Sequence, residues 1–279
     1  MLKYELIPEQ LLYEGVIART NLLSPDIIDE GVILLAHDQD YWHRLRNLTL
    51  SVAEERRIGF KLSPRLLERE MRIAQGTIET SLAALKAGVG FNVAGGTHHA
   101  GSNWGEGFCM LNDQAIAARY LLKNNIVSRI LIIDLDVHQG NGTAQIFKHE
   151  PSVFTFSMHG QKNFPFRKET SDLDIGLEDG IDDAPYLTIL NANLPSVFES
   201  FKPEFVFYLA GVDVLATDKL GKIALSKAAV KERDILVFEL CIRNNVPVQV
   251  SMGGGYSPGI NDIVQAHCNT FKAAIQLYF

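Results

Sequence analysis

RILIIDLDVHQGNGT, residues 129–143, is the stretch on which the fold turns. Ile130 to Ile133 are aliphatic without polar alternation, which suits a strand covered on both faces. Along an extended strand, side chains two apart share a face, so Asp134, Asp136 and His138 line up together. Leu135 and Val137 turn the other way, into packing. Carboxylates ending so apolar a run are costly to bury unless a cation or several donors compensate them. Asp136 and His138 are therefore a candidate two-ligand arm for a metal. Taken alone, the pattern reads more readily as a solvated strand end, with one aspartate capping the next turn.

Working outward, four more segments share this character: GFNVAGG (90–96), SVFTFSM (152–158), EFVFYLAG (204–211) and VPVQVSMGGG (246–255). Helical spacing separates them. Leu67, Met71, Ala74, Ile78, Leu82 and Leu85 recur at intervals of three and four within 66–87. Segments 111–122, 184–200, 226–243 and 258–277 read the same way, with Ser257-Pro258 expected to cap and start the last. Strands alternating with helices predict an α/β fold built on a mostly parallel sheet. Ligands in such sheets gather beyond the carboxyl ends of the strands. No repeat or linker divides the chain, and one domain over 1–279 is expected.

Three further groups sit at predicted strand ends. Asp213 follows EFVFYLAGV and, alone, reads equally as a turn residue or a helix cap. Beside Asp136 and His138 it offers a third metal ligand, leaving zinc an open position. His98 and His99 follow a double glycine, Gly95-Gly96, whose tight turn can project both imidazoles into a site. Gly253-Gly254-Gly255 precedes Tyr256, whose hydroxyl could donate to a developing oxyanion or simply pack over a turn. Together these groups supply metal ligands, a base and an electrophile, the needs of metal-assisted amide hydrolysis.

The bulk numbers narrow the field. The chain has 279 residues, 47% of them hydrophobic and 21% charged, which describes a globular protein rather than a disordered one. A net charge of -7, with no Lys/Arg block, argues against direct nucleic-acid binding. Cys109, Cys241 and Cys268 are odd in number and widely spaced, so reduced core cysteines are expected rather than disulfides or a thiolate metal site. The polar start MLKYELIPEQ does not suit a signal peptide, and no apolar run is long enough for a membrane span. A cytoplasmic enzyme is the expectation, or a nuclear one in a eukaryote.

GGTHHA (95–100), GFCMLND (107–113), DLDVHQGNGT (134–143), AGVD (210–213) and GGGY (253–256) resemble, in order and approximate spacing, the histone deacetylase family. The resemblance runs from about residue 30 to the C-terminus, leaving the first 25 residues poorly matched. DVHQGNG, FTFSMHG and DKLG (218–221) look most similar to class IV deacetylases and their short stand-alone relatives. The resemblance implies the arginase/deacetylase fold, three αβα layers around a sheet of about eight strands. It implies zinc on Asp136, His138 and Asp213, or iron(II) in the cell. His99 matches the general acid/base, His98 its electrostatic partner, Asp134 the carboxylate orienting His98, and Tyr256 the carbonyl-polarising hydroxyl. Gly107, Phe108 and Phe164 match the walls of an acyl-lysine tunnel. A structural potassium is implied on the side chains of Asp134 and Ser157 and the carbonyls of Asp136, His138 and Met158.

Asn141 departs from many family members, which carry an acid there, although class IV relatives share the amide. An amide in contact with His99 should leave its pKa lower than a carboxylate would. Arginases share the fold but need further carboxylates; here Gly140, Gly211 and Leu215 stand at those places, so a binuclear site is not expected. The implied substrate is an acylated lysine side chain of a protein or peptide. The alternatives are a small acetylated amine such as an acetylpolyamine, or a non-catalytic acyl-lysine-binding pseudoenzyme.

Overall fold

A computed structural model describes residues 2–279. Six strands form one all-parallel sheet: β1 Val89–Asn92, β2 Ile130–Asp134, β3 Val153–Gly160, β4 Leu173–Leu177, β5 Phe205–Leu209 and β6 Val248–Ser251. Their order across the sheet is β1-β6-β5-β2-β3-β4. The helices are α1 Lys3–Tyr13, α2 Glu30–Ile33, α3 Gln39–Arg46, α4 Val52–Ile58, α5 Pro64–Ala87, α6 Asp113–Lys123, α7 Asn141–Phe147, α8 Asp183–Phe201, α9 Lys227–Arg243 and α10 Ile260–Tyr278.

The consecutive apolar residues do what their pattern requires. Ile130 and Ile132 of β2, with Phe205 and Phe207 of β5, pack against residues of α3 to α7 on one face. Leu131, Ile133, Val206 and Tyr208 point the other way, into a core closed by α8, α9 and α10. Three layers result. On the outer side of α10, Ile7 and Leu11 of α1 pack with Met252, Val264, Cys268 and Phe271. All three cysteines are free and buried. Among the described residues, no helix is long and apolar enough to cross a membrane.

The expected count of about eight strands is corrected to six. The sequence holds five strongly apolar runs, and these give β1, β2, β3, β5 and β6. The sixth strand, Leu173–Leu177, is a half-buried edge strand, and its mixed sequence LDIGL carries no apolar run to mark it. The last helix also starts later than expected. Gly259 occupies the cap of α10 without a side-chain bond, and Ser257-Pro258 lies outside the helix.

Strand order positions the site. From β2 the chain proceeds outward through β3 and β4, whereas β5 and β6 lie on the other side of β2. The direction of winding therefore reverses between β2 and β5, which pair Ile130↔Phe205 through Asp134↔Leu209. A crevice opens at the carboxyl ends of strands at such a switch point.

Candidate active site

β2 ends at Asp134, earlier than the extended run suggests, and local side-chain bonds replace its ladder. Asp134 Oδ1 accepts from the Asp136 backbone N–H at 3.1 Å, and Asp136 Oδ1 from that of His138 at 3.0 Å. Successive Asx-type turns thus carry Asp136 and His138 beyond the carboxyl end of the strand. Asp213 arrives from the turn after β5, where its Oδ1 accepts from Val137 N–H at 2.9 Å. Arg233, fully buried on α9, donates to the carbonyls of Leu135 (3.1 Å) and Gly211 (2.7 Å), tying the two loops together.

The three expected metal ligands meet. His138 Nδ1 stands 3.0 Å from Asp136 Oδ1 and 3.2 Å from Asp213 Oδ2. Donors about 2.0–2.2 Å from a tetrahedral zinc stand roughly 3.3–3.6 Å apart, so the two distances are close to the edge of such a shell. Asp213 Oδ2 is buried without any hydrogen-bond donor. An orphaned carboxylate oxygen facing an imidazole nitrogen is a costly arrangement that a divalent cation relieves. The glycines fit the same picture. A Cβ on Gly254 would stand 1.8 Å from Asp213 Oδ2, and one on Gly211 2.3 Å from Asp136 Oδ2. Gly254 N–H also donates to Asp136 Oδ2 at 2.8 Å. Burial pushes the Asp213 carboxyl up to about 7. Burial opposes charge on Asp136 too, but the His138 hydrogen bond and nearby imidazoles hold it well below the usual carboxylate range.

The paired histidines face this trio. His98 Nδ1 lies 2.7 Å from Asp134 Oδ2. Burial works against protonating His98, yet the Asp134 carboxylate outweighs it and raises the imidazole above its ordinary value. His99 Nδ1 lies 2.7 Å from Asn141 Oδ1. Burial, then the charges of His98 and His138, hold His99 well below its ordinary value. Burial is the largest cause, and the Asn141 hydrogen bond works the other way, raising the imidazole.

Gly107, Phe108 and Phe164 line the same cavity, of about 480 Å³, as the histidines, the acids and Tyr256. Gly107 has φ +56°, and a Cβ there would come within 2.6 Å of the His99 ring and 3.0 Å of Phe164. The His99 and Phe164 rings meet edge to face at 5.0 Å. Phe108 packs on Phe60 at 5.3 Å and lies 6.2 Å from Tyr256. The DKLG segment anchors the tyrosine: Asp218 Oδ2 accepts from Tyr256 N–H at 2.6 Å, and its Oδ1 from Leu220 and Gly221. Burial raises the Tyr256 phenol far above its ordinary value, so it stays protonated. Of the expected potassium ligands, Asp134 and Ser157 are register partners across β2 and β3. Ser157 Oγ also lies 2.9 Å from His159 Nδ1.

Two residues at the site escaped the sequence reading. Lys3 is buried and donates to the Gly253 carbonyl at 2.9 Å; its signal was the i, i+4, i+8 spacing of Lys3, Ile7 and Leu11. Glu106, immediately before Gly107, bonds Asn141 Nδ2 at 2.5 Å; its signal was an acid between two glycines inside a motif-bearing loop.

Comparison with known proteins places these features in a family. The histone deacetylase domain matches residues 2–271, so the match takes in residues 2–25, contrary to expectation, and ends eight residues before the expected C-terminal limit. An uncharacterized protein of Picosynechococcus sp. (strain ATCC 27264 / PCC 7002 / PR-6) is 44% identical, covering 100% of this chain and 93% of its own length. Histone deacetylase 2 of Arabidopsis thaliana is 27% identical over 88% of this chain and 66% of its own. A solved histone deacetylase homologue complexed with SAHA superposes with a TM-score of 0.84 at 26% identity, covering 95% of this chain and 76% of the other. With a domain match spanning nearly its whole length and the same fold, the chain belongs to the histone deacetylase family of hydrolases.

Proposed function

We propose that the protein hydrolyses the amide of an N-acyl-lysine side chain, with zinc held by Asp136, His138 and Asp213. The orphaned Asp213 Oδ2, 3.2 Å from His138 Nδ1, is the observation that carries this reading. When bound, zinc supplies a Lewis acid that polarises a carbonyl and brings the pKa of water from 15.7 towards about 7. The protein does the rest. His98, beside the Asp134 carboxylate, adds to the burial that lowers the His99 imidazole. His99 donates its Nδ1–H to Asn141, which leaves Nε2 free to take a proton from water and return it to the departing amine. The Tyr256 hydroxyl, protonated and carried on a loop pinned by Asp218, donates to the developing oxyanion. Phe108 and Phe164 flank an approach suited to the apolar stem of lysine. A potassium ion near Asp134 and Ser157 and an affinity with class IV enzymes belong to the same reading, supported by the β2–β3 register and the DKLG contacts.

Charge favours a peptide over a polyamine. Arg56, Arg57, Arg69, Lys162 and Lys222 line the cavity, and the only acids lining it are Asp136 and Asp213. Glu178 and Asp179 stand 3.8–4.0 Å from the two lysines, and Glu106 and Glu70 pair with Arg57 and Arg69, but Arg56 has no ion-pair partner among the described residues. A polycationic amine meets like charge on entry. The test is a panel of lysine peptides with different acyl chains beside an acetylpolyamine, assayed with zinc-replete protein. Peptide hydrolysis abolished by His99→Ala in a folded variant is expected. Turnover of acetylpolyamine alone would favour the small-amine reading, and a zinc-replete but inert protein the pseudoenzyme.

A further inference from the structure

Glu106 carries no role in the scheme above, yet its side chain is 15% exposed and fully engaged. Oε1 accepts from Asn141 Nδ2 at 2.5 Å, and Oε2 lies 3.5 Å from Arg57 Nε. The loop that bears it is fastened to the end of α4, with Gly107 N–H donating to the Arg57 carbonyl (3.1 Å) and Phe108 N–H to that of Ile58 (2.8 Å).

We propose that Glu106 is a positioning residue that decides which ring nitrogen of His99 carries the proton. An asparagine amide presents a donor on one side and an acceptor on the other, and nothing in its shape fixes which is which. An ionised carboxylate only accepts, so Glu106 compels Asn141 to turn its NH2 outward and its Oδ1 towards His99. Oδ1 in turn only accepts, so the His99 proton resides on Nδ1, and Nε2 keeps the lone pair. The reverse amide orientation would place NH2 against Nδ1, drive the proton to Nε2 and block the base. Arg57 Nε, 3.5 Å from Oε2, helps to hold the carboxylate in place. Where many family members put an acid at position 141, this chain places its carboxylate one hydrogen bond further from the ring.

The rate readout rests on His99 acting as the base; the spectroscopic readout does not. In zinc-loaded, 15N-histidine-labelled protein, long-range proton–nitrogen correlation should show the wild-type His99 as a single Nδ1–H tautomer. E106A frees the amide and should shift His99 towards Nε2–H. Its kcat should fall about 10- to 100-fold, the value of a hydrogen bond to a charged partner, with KM little changed. E106Q, similar in size but able to present either edge, should lie between the two. The double variant Glu106→Gln/Asn141→Asp reverses donor and acceptor across the pair while keeping an acceptor against His99. It should restore the Nδ1–H tautomer and most of kcat. A wild-type tautomer in E106A, or a double variant no better than E106A, would overturn the proposal. Should wild-type protein hydrolyse no acyl-lysine while the tautomers shift as stated, the functional reading falls and the positioning role stands.

Discussion

Tyr256 shows how a single side chain is made useful by what surrounds it. Asp218 fixes its backbone N–H, Phe108 lies beside its ring, and the Lys3 ammonium sits 5.6 Å from the ring centroid. Burial keeps the phenol protonated and therefore able to donate. Tyr256→Phe should lower turnover by about 10²–10³-fold while metal analysis still finds zinc bound; full activity would remove the phenol from the mechanism. His98, His99, Asp134, Asp136, His138 and Asp213 were legible because each stands in a short motif at a strand end. Lys3 and Glu106 were not. Their importance comes from partners far away in sequence or held by a backbone turn, Gly253 for Lys3 and Asn141 for Glu106. Lys3 further shows why a polar residue near the start of a chain gives little sign of burial. Loss of solvent lowers its amine to about 8, an environment that only the packing of α1 on α10 creates.

At the level of elements, the metal-ligand loops are held by a helix that supplies no ligand. Arg233 bonds both loops through its guanidinium and pairs with Asp234, which also accepts from Tyr208 Oη and Thr270 Oγ1. Both charges are fully buried. Removing one partner of a buried pair strands the other, at a cost of about 3–5 kcal/mol. Arg233→Met should show that loss in urea unfolding and weaker zinc retention in the folded fraction; a variant as stable as wild type would exclude the clamp. The five apolar strands and five long helices followed from periodicity, since burial on both faces leaves no polar alternation. The end of β2 did not. Asp134 and Asp136 compete for backbone N–H groups at close range, and alternation alone cannot tell that from a continuing strand. Edge strand β4, half in water, has no apolar signature to read.

For the molecule as a whole, buried neutral histidines set an acid limit. His37 Nε2 accepts from Asn112 N–H at 2.9 Å, and burial lowers its pKa to about 4. Burial holds His267 well below its ordinary value as well. An unfolded chain takes up these protons near pH 6.5 and the folded one only near 4 for His37, so the stability is intact above about 6.5 and is lost as pH falls towards 4. The slope for one such proton is about 1.4 kcal/mol per pH unit. Unfolding free energies measured between pH 7 and 4.5 should decline accordingly, and His37→Gln should flatten the decline; an unchanged slope in that variant would assign it elsewhere. The sheet order has a kinetic corollary. Asp136 and His138 leave β2, whereas Asp213 leaves β5, and the chain builds β3, β4 and α8 between them. Contacts so distant along the chain form late. Capture of a coloured ion such as cobalt(II) by all three ligands would therefore act as a stopwatch for refolding, its absorption appearing only once the central pair of strands has closed.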